Sequence, residues 1–148
     1  MAVDRLIATG VVDLAPIRAL AAEARGPGSA RARNACGLAD GLAESPPETR
    51  LRLLIGRSGL PAPIAQYRMW HEGRIIARPD FAWPDRKVAL EYDGLWHAEE
   101  GQFAKDRERL NLLREAGWLV IFVTAADMSR PERAIARIAA ALASAVVR

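Results

Sequence analysis

The chain has 148 residues, 51% of them hydrophobic, which suits one ordinary domain with a sizeable core plus an appendage; its net charge is +3 and its pI near 9.6. No apolar run approaches the roughly 18 residues a membrane span needs, and the N-terminus lacks a signal peptide's charged, apolar and small-residue order, so no membrane partner and a cytoplasmic location are expected. A single cysteine, Cys36, and two histidines, at 71 and 97, exclude an internal disulfide and a Cys/His zinc site, so any metal must be held largely by carboxylates.

Residues 1–43 read as helical and Ala-rich: a short segment around Val3 to Thr9, a second after Asp13 with Pro16 in its first turn, and a third near Arg31 to Ala39. Arg25-Gly26-Pro27-Gly28-Ser29 breaks the last two apart. No chemistry is visible in this stretch, which reads as a connector. The compact domain, residues 44–148, opens at Ser45-Pro46-Pro47-Glu48. Ser at the N-cap, Pro at the first helical position and Glu three residues after Ser announce a helix, with Leu51, Leu54 and Ile55 as its apolar stripe and Gly59 as its stop.

An extended Ile64 to Trp70, a turn at Glu72-Gly73, a strand from Arg74 to about Phe81, a turn at Pro84-Asp85 and a strand from Val88 to Tyr92 follow, predicting a three-strand meander. A loop from Gly94 to Gln102 leads to a helix Phe103 to Ala116, a stop at Gly117, an apolar strand Trp118 to Val123 and an Ala-rich helix from Pro131 onward. Helix, three-strand meander, helix, strand, helix is the order of an α/β fold with a mixed sheet covered by helices.

Strand alternation in Val88-Ala89-Leu90-Glu91-Tyr92-Asp93 sends Ala89, Glu91 and Asp93 to one face. Paired carboxylates oppose each other's ionisation unless a cation intervenes, and a bound metal would resolve that conflict. Asp80, at the end of the preceding strand, reaches the same edge if the two strands pair antiparallel. Asp80 with Glu91 or Asp93 would then suffice for magnesium, which commonly takes one or two carboxylates plus waters and phosphates. Asp80 and Asp93 also suit ordinary turn positions, whereas Glu91, between Leu90 and Tyr92, needs a partner because unpaired buried charge is costly.

A lone histidine is more often structural or solvated, as His71 beside its turn is expected to be. His97 instead follows Trp96 just beyond the acidic strand, where an imidazole can serve as a general base. On the next helix Asp106 shares the spacing of Phe103, Leu110 and Leu113, which points it at the sheet, within reach of His97. Glu48 leans toward the core side of its own helix, so it is open both to a site role and to the capping box with Ser45. Nineteen of the 21 basic residues are arginine, the exceptions being Lys87 and Lys105. Arginine forks suit phosphate oxygens, so the charge balance permits a nucleic-acid partner without demanding one.

The run from Arg78-Pro79-Asp80 through Lys87-Val88-Ala89-Leu90-Glu91-Tyr92-Asp93-Gly94-Leu95-Trp96-His97 to Lys105-Asp106-Arg107 and Ala116-Gly117-Trp118 carries a family resemblance. Over about residues 44 to 142 it is similar to the very-short-patch-repair-like endonucleases, in particular the bacterial domain of unknown function 559, a branch of the PD-(D/E)xK restriction-endonuclease fold. The resemblance implies a restriction-endonuclease-like mixed sheet and a nuclease dependent on Mg (or Mn) that hydrolyses phosphodiester bonds, with DNA the expected nucleic acid. In it Asp80 binds metal, His97 is the base, and Asp106 and Glu48 support them. Glu91-Tyr92-Asp93 occupies the (D/E)xK place but ends in Asp where the superfamily has Lys, leaving positive charge to the metal or to an arginine.

The mismatch-repair members are built around a structural zinc that one cysteine cannot supply, so T:G specificity is not implied. Residues 1–43 resemble the connector of longer proteins that begin with a winged-helix segment, so such a region, or a partner in its place, is a further expectation. This carries a rival reading, a DNA-binding or regulatory module of a toxin–antitoxin-like protein with little or no cleavage. A single nuclease site that cuts both strands must dimerise or rebind, which makes a homodimer a further expectation.

Overall fold

The computed structural model describes residues 2–94 and 102–145. The backbone gathers into two compact units, Met1–Leu53 and Leu54–Arg148, with the boundary inside a helix.

The first unit holds α1 (Ala2–Ala8), α2 (Leu14–Glu23), α3 (Ser29–Leu38) and the first turns of α4 (Pro46–Arg57). Gly26 and Gly28, both at positive φ, turn the chain between α2 and α3, which pack together. Arg18 on α2 donates to the Cys36 carbonyl at 3.1 Å and the Ala39 carbonyl at 2.7 Å, satisfying groups that a helix end leaves without an internal partner. Asp4 is 2% exposed, accepts the Asp40 N–H at 3.3 Å and lies 3.5 Å from Arg52 Nη2, while Arg52 Nε stands 2.9 Å from Asp40. A carboxylate so deeply buried requires that cation and that donor. The stretch expected to be a bare connector thus carries an ionic centre. Pro46 is the first residue of α4, where its missing N–H costs nothing, and Leu51 and Ile55, one turn apart, are fully buried.

The second unit continues with β1 (Ile64–Ala65), β2 (Met69–His71), β3 (Arg74–Ala77), β4 (Phe81–Trp83), β5 (Val88–Asp93), α5 (Gln102–Glu115), β6 (Leu119–Thr124), α6 (Ala125–Met128) and α7 (Pro131–Ser144). The expected three-strand meander keeps its antiparallel order, with β1–β4 and β2–β3 pairing in one register as far as Met69 and β4 pairing with β5, but its first two strands are not continuous. Each of its first two strands breaks in two: β1 and β4 join the main sheet, while β2 and β3 pair as a separate hairpin. Gln66 at φ +52 bends the first strand, and Pro79, with no N–H to give a ladder, interrupts the second. Glu72 and Gly73, both at positive φ, form the tight hairpin turn expected at that dipeptide.

The main sheet runs β1-β4-β5-β6, antiparallel except for the parallel β5–β6 pair that α5 connects. Among the described residues the architecture is therefore α/β with a mixed four-stranded sheet and a small antiparallel pair. One face buries Phe81, Trp83, Val88, Leu90, Ile121 and Val123; α7, lying against β6, buries Ala134, Ile138, Ala141 and Leu142. On the other face Ala82 and Ala89 are small enough for the β2–β3 hairpin and α5 to settle onto the sheet through Met69, Ala77 and Leu113. Gly117 ends α5 at φ +79, with Trp118 N–H returning to the Leu113 carbonyl at 2.9 Å; Lys87 Nζ closes the same end on the Ala116 carbonyl at 2.6 Å. No helix of the described residues is long and apolar enough to cross a membrane.

Candidate functional site

Pairing of Phe81 with Leu90, continued by one residue, sets Asp80 opposite Glu91 on the face that α5 covers. Side chains directly opposite in an antiparallel pair stand roughly 5 Å apart at Cβ, so two like charges there repel. Asp80 is fixed on both sides: its carbonyl accepts the Gln66 N–H at 2.9 Å, and its Oδ2 accepts the Tyr92 N–H at 2.7 Å. The side chain thus bridges from the start of β4 to the end of β5, which a solvated turn acid would not do.

Glu91 is held by Arg109 of α5. Nη1 donates to Oε1 at 2.7 Å and Nη2 to Oε2 at 3.0 Å, with the Glu91 side chain 17% and the Arg109 side chain 30% exposed. This two-bonded fork is the strong form of the carboxylate–guanidinium pair. The bond from Glu91 raises the Arg109 pKa above its ordinary value despite partial burial, with the charges of Glu91 and Asp106 adding. A permanently charged guanidinium therefore sits against the acid edge and offsets the repulsion there. Sequence reasoning did not name Arg109. The available signal was the (D/E)xK place ending in Asp93, which left positive charge to the metal or to an arginine without saying which arginine.

Asp93 ends β5 exposed, paired in register with Thr124 at the end of β6. Asp93 thus lies at the carboxyl end of the parallel β5–β6 pair. Asp106, expected to face the sheet rather than water, is exposed, while Leu110 and Leu113 further along the same side of α5 are half-buried and buried. His97 lies outside the described residues. Glu48, 8% exposed in the first unit, accepts the Glu44 N–H at 2.7 Å and the Ser45 hydroxyl at 2.6 Å, so both its oxygens serve the start of α4. His71 ends β2 half-buried, in register with Arg74.

Beside this edge Thr124 and Asp127 form a capping box at the start of α6. The Thr124 N–H, then Arg137 at 3.0 Å, hold the Asp127 carboxyl below its usual pKa.

Asp80, Glu91 and Asp93 are hard oxygen donors of the kind magnesium and manganese prefer. Among the described residues no three or more His, Cys, Asp or Glu side chains gather around one point that could hold a metal. The two-carboxylate set Asp80 and Glu91 fits such an ion on condition that Glu91 releases Arg109.

No family model matches the chain, and no solved structure matches it. Two curated relatives do: the uncharacterized protein MT2308 of Mycobacterium tuberculosis strain CDC 1551 / Oshkosh and the uncharacterized protein Rv2248 of strain H37Rv. Each is 41% identical over 121 residues, 80% of this chain. The matched region spans 45% of the length of each relative.

Proposed function

We propose that the Asp80–Glu91 edge is the hydrolytic centre of a metal-dependent nuclease that cleaves phosphodiester bonds, with DNA as its expected substrate. The observation that carries this reading is the β4–β5 register, which sets Asp80 and Glu91 opposite each other at the carboxyl end of β5 with Arg109 against them. Asp80 and Glu91 would hold the magnesium or manganese ion, with Asp93 as the alternative to Glu91. When bound, it supplies positive charge to a phosphoryl oxygen and lowers the pKa of water. Arg109 is a second, permanent cation, able to offset charge at the scissile phosphate and standing in for the lysine that the Glu91-Tyr92-Asp93 run lacks. On the family resemblance His97 is the base. The resemblance to restriction-endonuclease-like proteins supports the same reading.

A second reading is favoured by the fork itself. Both Glu91 oxygens are occupied by Arg109, which suits a nucleic-acid-binding or regulatory module that uses the edge as a structural clasp. The two are separated by incubating the protein with plasmid, single-stranded DNA, mismatched duplex and RNA in magnesium, manganese or chelator, alongside Asp80→Asn. A nuclease cleaves only with metal and loses cleavage in the variant. Binding that is salt-sensitive, indifferent to magnesium and unaccompanied by cleavage establishes the module.

A further inference from the structure

Between β3 and α5 runs an open groove of about 240 Å³, floored by Ile75, Ile76 and Leu112 and edged by Arg74, Lys105 and Arg109, with Glu108 at the rim. Its volume falls short of the roughly 300–1,000 Å³ of a closed small-molecule pocket, so it suits a chain passing over the surface. Ile75 is 46% exposed, and its register partner on β2 is Trp70, 60% exposed. Residues directly opposite share a face, so the indole stands next to Ile75, just outside the groove's own lining. Met69 and Ala77, buried in the core, anchor the same hairpin, so Trp70 stands on a fixed platform.

An exposed tryptophan on a rigid hairpin is an unusual placement for a core-forming side chain. Here it has cationic company. Arg74 follows the hairpin turn, Lys105 faces it from α5, and Arg68 is exposed two residues before Trp70. Arg109 lines the groove and also grips Glu91, so the groove is continuous with the acid edge. A lipid surface would want a broader apolar face, whereas an aromatic plane beside separated cations fits bases and phosphates in alternation.

We infer that this groove seats a single-stranded nucleic-acid segment, with one base stacked on Trp70 and the flanking phosphates held by Arg74 and Lys105. Only an unpaired base offers its face to such an indole, since the faces inside a duplex are already stacked. The inference rests on the nuclease reading for its meaning, because the bound strand would run toward Asp80 and Glu91.

The test is binding, in chelator, of fluorescein-labelled oligothymidylate and oligouridylate of about 12 nucleotides, within the usual ~4–16 nucleotide range of single-strand sites. A duplex of equal length serves as comparison. Trp70→Ala should weaken single-strand binding about 5- to 150-fold, the change expected for losing one stacked base, while Trp70→Phe retains most of it. Arg74→Ala and Lys105→Ala should each reduce the slope of log affinity against log salt by about 0.7. The Trp70 side chain is exposed, so melting temperature should not move, and Trp70→Phe remains decisive if the alanine form is unstable. Binding to wild type that Trp70→Ala leaves unchanged overturns the inference, as does a preference for duplex or no binding at all. Cleavage in magnesium is scored separately. Trp70-dependent binding without cleavage sinks the nuclease reading and leaves the groove standing, and cleavage with Trp70-independent binding does the reverse.

Discussion

Arg109→Met isolates the clasp, because methionine keeps much of the apolar stem along the groove and removes the charge. Exposed ion pairs contribute about 0.2–1 kcal/mol, and breaking fully buried ones costs about 3–5 kcal/mol. With the two side chains 30% and 17% exposed and two bonds at 2.7 and 3.0 Å, the pair falls between those limits, at about 2 kcal/mol. At about 2–4 °C per kcal/mol for a chain near this size, the melting temperature in chelator should fall about 4–8 °C. The same energy opposes a metal. If Glu91 must leave Arg109 to become a ligand, Arg109→Met should bind manganese about 30-fold more tightly by calorimetry, the equivalent of about 2 kcal/mol. Manganese should then restore part of the lost stability. The double variant Arg109→Met/Glu91→Gln should recover stability in chelator, since no orphaned charge remains, and lose the gain in affinity. Unchanged melting in the single variant would refute the value assigned to the fork. Unchanged manganese affinity would remove Glu91 from the metal set.

Glu48→Gln keeps one acceptor and loses the other, so it should cost about 1 kcal/mol in thermal melting and Glu48→Ala about 2 kcal/mol, with activity below the melting point intact if its role is confined to the cap. Activity abolished in both would return Glu48 to the site. Asp127→Ala should destabilise by about 1 kcal/mol at neutral pH. Because the Asp127 pKa is lowered in the folded chain, its contribution is complete above the unfolded value near 3.9 and disappears as pH falls through the folded value. Wild type and variant should therefore converge in melting scans below about pH 3.9, and a constant difference down to pH 2 would contradict the assignment. Arg52→Ala removes one partner of buried Asp4, which keeps the Asp40 N–H, so it should lower stability by about 1–2 kcal/mol and Asp4→Asn/Arg52→Ala by less; equal losses would show that the charge on Asp4 is not what needs Arg52.

Much of this architecture was legible because period and punctuation agree. Ser45-Pro46-Pro47-Glu48 opens α4, Glu72-Gly73 turns the hairpin and Gly117 stops α5, each dictated by local backbone chemistry. The antiparallel pairing of the strand after Asp80 with Val88–Asp93 was legible too, since one short turn between them leaves few registers. The breaks at Gln66 and Pro79 were not foreseen: a glutamine at positive φ has no sequence signature, and an apolar strand run looks the same whether it feeds one sheet or two. Asp106 misled for a related reason, because helical spacing gives the direction of a side chain but not where the neighbouring surface ends. Arg109 and the Asp4–Arg52–Asp40 cluster escaped because their ion pairs join residues 12 to 48 positions apart and leave no local pattern.

Among the described residues β6 is an outer strand of the main sheet with no further strand paired beside it, and such a strand edge is a template on which a second copy of the chain can pair. Leu119 and Phe122 already lie exposed along it, 45% and 36%, so its sequence does little to repel such pairing. The guard is Arg137 of α7, whose Nη2 donates to the Phe122 carbonyl at 2.8 Å and places a charged side chain against the open margin. Its grip on Asp127 keeps it there. Replacing Arg137 by alanine should therefore be felt less in the folded monomer than in its solubility, as light scattering that grows with protein concentration; a variant that stays as clear as wild type would show the edge to be protected some other way. The residue that steadies α6 is in this sense also what keeps neighbouring molecules from continuing the sheet.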